Sequence, residues 1–327
     1  RAAVTAFTAR ARRTGRAVTA HVAAPPARTA GPTAAPGPSD RKESDITAPK
    51  NSVSMLREAA SELPQRPLKD GWSYIHWSDT ASFTQAYQDI VFSLLVEIST
   101  KAFGADMTPY WRDRRKGRFF EKISKFCLLV DPLGNISGWT GYHRRIFGNA
   151  HCLYLDSSGV LPESQGGGLM GHIHAKMIAT ECLYYAPRPV YLVARTESPV
   201  VYRLLRNGCG ADNIWPSPDR AADRRVELIA TDAAEWLGQS DKFDPASLRV
   251  LGAYDNLDAL YGDLPSCGDG TIDAFFRDTL RPEDAYIVIA RAGLPRIARQ
   301  WAKREIKAVR AARSQRLPRL AAKPAGR

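Results

Sequence analysis

Apolar residues fall into two rhythms along this chain. After Ser52, Val53, Leu56, Ala60 and Leu63 recur at helical spacing until Pro64 stops the run, which predicts a helix. A second helix is predicted over about 80–100 from Phe83, Tyr87, Ile90 or Val91, and Leu94 or Leu95, closed by Gly104. Residues 72–77 read as a short strand. The segment 109–125 mixes Tyr110, Trp111, Phe119 and Phe120 with Arg and Lys, and reads as an amphipathic packing helix rather than a stacking platform for nucleic acid. Three extended runs follow, 126–131, 136–147 and 150–160, separated by the turn residues Pro132 to Asn135 and Gly148-Asn149. That pattern predicts an antiparallel meander.

Beyond a glycine-rich loop, Leu169, Ile173 and Met177 open a helix ending near Tyr185 and Pro187. Val190 to Ala194 is a short β-branched run, so a buried strand. Ser198-Pro199 then starts a helix ending at Gly208, with Ser198 as cap and the pairs Val200 with Leu204 and Val201 with Leu205 facing the sheet. Val226, Ile229, Ala233 and Trp236 predict another helix. Leu248 to Tyr254 and Ala285 to Ala290 predict two strands with a helical insertion between them. The fold class that follows is α/β (α+β): a mixed, mostly antiparallel twisted sheet flanked by helices.

At 327 residues, 44% apolar and 24% charged, the composition is that of a globular protein with room for a large core. Charge divides the chain more sharply. Residues 1–50 carry 9 basic and 3 acidic side chains, residues 291–327 carry 12 and 1, and the stretch between has a net −5. Residues 1–50, rich in Ala, Arg, Thr and Pro, and residues 292–327, where Arg and Lys dominate, therefore read as basic tails around a domain at 51–291. The first is expected to be disordered and the second helical or disordered. Nucleic acid would have to bind through those tails; a solvated tail is preferred, and a nucleic-acid-associated protein with a degenerate core is the alternative.

Five cysteines, odd in number and without a C-x-x-C pair, support neither a disulfide framework nor a metal site. Cys127 and Cys152 lie in apolar runs and read as buried reduced thiols, as in a cytoplasmic protein. No run approaches 18 consecutive apolar residues, so no membrane helix is expected, and Arg12-Arg13 is followed by no apolar segment of the kind export requires.

The stretch that carries chemistry is Val160-Leu161-Pro162-Glu163-Ser164-Gln165-Gly166-Gly167-Gly168-Leu169-Met170, between a strand and a helix. Three glycines let backbone approach an anion, and the helix N-terminus behind them adds partial positive charge, so a pyrophosphate is the natural ligand. Gly-Lys-Ser/Thr of a Walker loop and G-x-G-x-x-G of a dinucleotide fold are both lacking. Here the sequence resembles the GNAT superfamily of acyl-CoA N-acyltransferases, whose signature is V-x-P-x-x-(Q/R)-x-x-G-x-(G/A). Val160, Pro162, Gln165 and Gly168 match it, while Met170 stands at the last position. Further on, Tyr191 to Gly208 is similar to the family's fifth strand and fourth helix, with Ser198 where Asn usually opens the helix and Cys209 where Phe follows its closing glycine.

The resemblance implies acetyl transfer from acetyl-CoA to an amine by direct attack in a ternary complex, without a metal. It implies coenzyme contacts at Val160, Gln165, Gly166, Gly167, Gly168, Leu169, Met170 and Ser198. Counting back from Gln165, it places a candidate base at Asp156 or Tyr154 on the strand before the loop. For the acid, the family's tyrosine position is Leu204 here, and Tyr202 lies two residues earlier. His143, His151, His172 and His174 have no ligand spacing and read as surface or core histidines. The acceptor and the oligomeric state are not specified by the sequence.

Overall fold

The computed structural model describes residues 63–257, 260–297 and 299. The helix expected after Ser52, the 1–50 tail and the 301–327 part of the other tail lie outside them. All described residues belong to one unit, Ser44–Arg327.

The chain runs β1 (Arg66–Pro67), β2 (Ser73–Trp77), α1 (Gln85–Phe103), α2 (Thr108–Lys116), α3 (Phe119–Lys122), β3 (Lys125–Val130), β4 (Ile136–Phe147), β5 (Ala150–Leu155), β6 (Gly159–Val160) and α4 (Leu169–Tyr185). It continues with β7 (Val190–Thr196), α5 (Pro199–Cys209), β8 (Ile214–Trp215), α6 (Arg224–Trp236), β9 (Phe243–Asp244), β10 (Arg249–Val250), α7 (Gly270–Thr279) and β11 (Ala285–Ala292). One sheet has the order β1-β2-β3-β4-β5-β7-β11-β10-β9, with β6 also on β4 and β8 also on β11. Strands β3 to β5 are the expected antiparallel meander, with its third run interrupted after Leu155, and the short strand β2 adds to it antiparallel to β3. The β5–β7 pair is parallel.

Both faces of the sheet are covered, so its strands are apolar on both sides. In β3, Phe126, Leu128 and Val130 face one core while Cys127 and Leu129 face the other; β7 and β11 alternate likewise. Helices α1, α2, α3 and α6 pack on the first face, and α4, α5 and α7 on the second. Helix α1 starts where the Thr84 hydroxyl accepts from the Tyr87 N–H and stops at Gly104 in the left-handed region. Its stripe Val91, Leu94, Leu95 and Ile98 is buried, each side chain contributing about 1.5–3 kcal/mol.

The aromatic segment divides. Arg118, at φ 58°, ends one helix and starts α3, so Trp111, Phe119 and Phe120 turn into the core. Trp111 also donates from Nε1 to Ser99 Oγ at 2.8 Å, which fixes α2 against α1. Three expectations shift. Leu248 to Tyr254 is a strand only at Arg249–Val250, because the chain then turns so that Gly252 N–H reaches Asp284 Oδ1. Helix α5 runs through Gly208 to Cys209 and caps at Gly210, and Val200 is solvent-exposed rather than turned to the sheet. The Ser198 hydroxyl makes no cap bond to the helix; it faces the Tyr261 phenol instead.

The five cysteines are free, and burial pushes the Cys127 and Cys152 thiols up to about 12. Among the described residues, no helix is long and apolar enough to cross a membrane.

Candidate active site

The site begins with a strand that leaves its neighbour. Parallel pairing of β5 with β7 runs from Cys152–Tyr191 to Tyr154–Val193 and stops. On the other side, Leu155 pairs with Tyr142 and Gly159 with Trp139, so Asp156, Ser157 and Ser158 stand opposite only Thr140 and Gly141. One extra residue on one strand is a β-bulge, and it bends the chain away from β7. Gly159 then lies flat on the Trp139 indole, where a Cβ would come within 2.6 Å of the ring; no other residue fits there. A cleft opens between 155–158 and 194–196, walled also by α2, α4 and α5.

The glycine loop follows the bulge, between β6 and α4. After β6, Pro162–Ser164 makes a single 3-10 turn, and Gln165 Nε2 donates to the carbonyls of Val160 and Ala102, both at 3.2 Å. That ties the loop to β6 and to the last turn of α1. Gly166 and Gly168 have φ of 77° and 70°, a region that favours glycine. Added Cβ atoms at 166, 167 or 168 would meet nothing within 4 Å, so backbone borders open space. Gly168 caps α4 without any side-chain cap, Leu169 anchors the first turn in the core, and Met170 is half-buried. Lys69 Nζ reaches the Gly167 carbonyl and brings a cation to the loop.

Within the cleft a charged cluster is assembled from distant segments. Trp111 in the core sets the rotation of α2, and Tyr110 and Arg114, one turn apart, then project into the cleft. Arg114 donates to Tyr110 Oη at 2.7 Å and to Asp156 Oδ2 at 2.9 Å. His143 Nε2 lies 2.7 Å from the same carboxylate oxygen, and its Nδ1 lies 3.0 Å from the Lys122 carbonyl. Asp156 Oδ1 accepts from the Ser157 N–H at 2.7 Å. Burial alone would raise the Asp156 carboxyl, but Arg114 and the His143 and Ser157 hydrogen bonds outweigh it and hold the group well below the usual carboxylate range.

Of the sequence candidates, Asp156 and Tyr154 both line the cleft. Tyr154 is buried, which pushes its phenol up to about 12. Tyr202 is elsewhere: its hydroxyl donates to the Pro216 carbonyl at 2.8 Å and its ring packs on Phe276 of α7. Leu204 and Leu205 line the cleft from α5 instead.

Several residues of the site were missed in the sequence. His143, read there as an ordinary histidine, touches Asp156. His174 lines the cleft, with Nε2 2.8 Å from Thr140 Oγ1, and burial lowers it to about 4. Arg195, odd-numbered on β7 like Tyr191 and Val193, points to the α1–α2 face. Glu197, just past β7, is buried and desolvation pushes its carboxyl up to about 8. No spacing signal marks the first three, whose partners lie 13, 34 and 44 residues away, and Glu197 lines a separate cavity beside Tyr261.

No family model matches the chain, and no curated protein matches it in sequence. Solved structures that resemble it include a GNAT-family N-acetyltransferase from Escherichia coli in complex with CoA, at 11% identity and a TM-score of 0.28. That alignment covers 34% of this chain and 59% of the other, so this chain spans under two thirds of that relative's length. A GNAT-family acetyltransferase from Brucella melitensis in complex with acetyl-CoA aligns at 17% identity over 36% of this chain and 74% of that one, with a TM-score of 0.26. An aminoglycoside acetyltransferase from an uncultured soil sample aligns at 15% over 38% and 78%, with a TM-score of 0.28. The fold of this chain is defined by its own strand order rather than by those overlaps. An antiparallel meander, a bulged strand parting from a parallel neighbour, and a glycine loop into a helix at the parting together make the GNAT-like fold that the signature residues imply.

Proposed function

We propose that the chain is an acyl-CoA N-acyltransferase that moves an acetyl group from acetyl-CoA to an amine in a ternary complex. The observation that carries this is the coincidence of two features: β5 and β7 part at Tyr154–Val193, and the glycine loop meets the N-terminus of α4 beside that gap. Backbone of Gln165 to Met170 and the start of α4 would hold the pyrophosphate, with Lys69 adding charge. The thioester would then lie in the cleft near Tyr154, with Ser198 behind Tyr261 of its wall.

In this reading the acceptor ammonium first gives a proton to water beside the Asp156 carboxylate. Its nitrogen forms the new C–N bond to the acyl carbon, the C–S bond breaks, the departing thiolate takes the phenol proton of Tyr154, and the second proton of the attacking nitrogen passes to that phenolate, so amide and free thiol leave and the phenol is restored. Asp156, held ionised by Arg114 and His143, fixes the charge and the bulge more than it accepts protons. Tyr202 has no part in it, since its hydroxyl is committed to Pro216. The reading is tested by calorimetric titration with acetyl-CoA and by release of CoA thiol over a panel of amines; a folded chain that binds no acetyl-CoA overturns it.

A further inference from the structure

A second cavity opens on the α1–α2 side of the sheet, bounded by α2, the end of α6 and residues 252–256, and it shares Tyr110, Arg114, Arg195 and Tyr254 with the cleft. It is open to an acceptor from the face opposite α4, the helix that the glycine loop leads into. Two guanidinium groups stand where the cavities join. Arg114 is neutralised by Asp156. Arg195 pairs with no carboxylate among the described residues: its Nη1 donates to Gln239 Oε1 at 2.8 Å, its guanidinium lies 4.7 Å from the Tyr254 ring centroid, and its Nε is buried without a partner. A buried donor on a fixed cation, left open at a cavity junction, calls for an oxyanion.

We infer that Arg195 receives the carboxylate of the acceptor, so that the amines this chain acylates are amino acids or similar small amines with a carboxylate beside the nitrogen. This rests on the acyltransferase reading above. Arg195 itself lines both cavities, so a carboxylate held there keeps a nitrogen one carbon away at the junction between them. Gln239 and Tyr254 hold the guanidinium in place before anything binds, which lowers the cost of ordering it.

The experiment uses the whole chain with acetyl-CoA and matched acceptors: free amino acids, their amides, the corresponding decarboxylated amines, and phosphoethanolamine. Thiol release gives kcat and KM, and calorimetry measures binding of the N-acetylated amino acids and their amides. The expected result is a KM at least about tenfold lower for the acid than for its amide, about 1.4 kcal/mol. Arg195→Gln should erase that difference, with affinity for acetyl-CoA unchanged, and Arg195→Lys should restore part of it. Wild type that binds acetyl-CoA but treats acid and amide alike, in turnover and in product binding, overturns the inference and leaves the acyltransferase reading standing. So does a preference for phosphoethanolamine, or an Arg195→Gln loss that is equal for acid and amide. Wild type that binds no acetyl-CoA overturns both.

Discussion

The glycine loop at 165–168 is consecutive backbone bordering open space, whereas the charged cluster around Asp156 is made of cleft-lining side chains gathered from residues 110 to 254. The loop needs only glycine torsions and a helix start, so its chemistry survives wherever that short stretch folds. The cluster exists only when α2, β4, the bulge and β7 have all docked. A ligand held by backbone tolerates change in neighbouring side chains. One held by the cluster depends on each ion pair.

The largest effect should come from breaking the cluster. Asp156→Asn leaves Arg114 and His143 without their buried anion and should cost about 3 kcal/mol in a denaturant titration, as for other broken buried pairs. It should lower turnover more than acetyl-CoA affinity, and an unchanged affinity would confirm that the two halves are separable. The sign with pH also follows. A carboxyl held low when folded contributes stability above its unfolded value, near 3.9, and loses it as pH falls further; the variant should lack that acid-side loss.

Glu197 gives the opposite sign. Its carboxyl is raised to about 8, so the folded chain keeps a proton that the unfolded chain releases near 4.5. Stability should be full below that point and fall as pH rises towards 8, by up to about 1.4 kcal/mol per pH unit. Between pH 5 and 7 the loss should be about 2 kcal/mol, and Glu197→Gln should flatten it in melting curves. A wild-type profile without this slope would mean the group finds a cation or water when ionised.

On the backbone side, Gly168→Asp adds a carboxylate and an unfavourable torsion at a φ of 70°, next to the space where phosphate would sit. It should raise the acetyl-CoA dissociation constant at least about tenfold, about 1.4 kcal/mol, with the circular dichroism of a folded protein. Equal binding by a folded variant would make the loop a turn and nothing more. The smallest effect is a control away from both halves. Asp223 Oδ1 accepts from the Val226 N–H at the start of α6, and Asp223→Ala should cost about 1 kcal/mol of stability without changing either ligand's affinity.

This contrast also explains what the sequence disclosed. The meander, the helix after the loop and the β7–α5 unit were legible because apolar period and turn residues are local signals, as at Pro132–Asn135 and Leu169–Met177. The loop residues were legible as a motif for the same reason. Tyr202 misled because position along a helix says nothing about rotation once Pro216 offers its carbonyl. His143 and Arg195 were invisible because a strand residue shows its face only when register is known, and their partners lie 13 and 44 residues away. Short strands such as β8 and β9 exist by pairing alone and leave no period to read.

The seam between β5 and β7 has a mechanical side. Three residue pairs join them, whereas β7 and β11 share seven and β3 and β4 six. Among the inner ladders this strip is the shortest, with β1 to β6 on one side of it and β7 to β11 on the other. A small rotation about Cys152 to Tyr154 would widen the gap without disturbing any other ladder, so compliance is concentrated where a substrate must enter. Amide hydrogens on that strip should exchange with solvent sooner than those between β7 and β11, and slow sharply when the gap is filled.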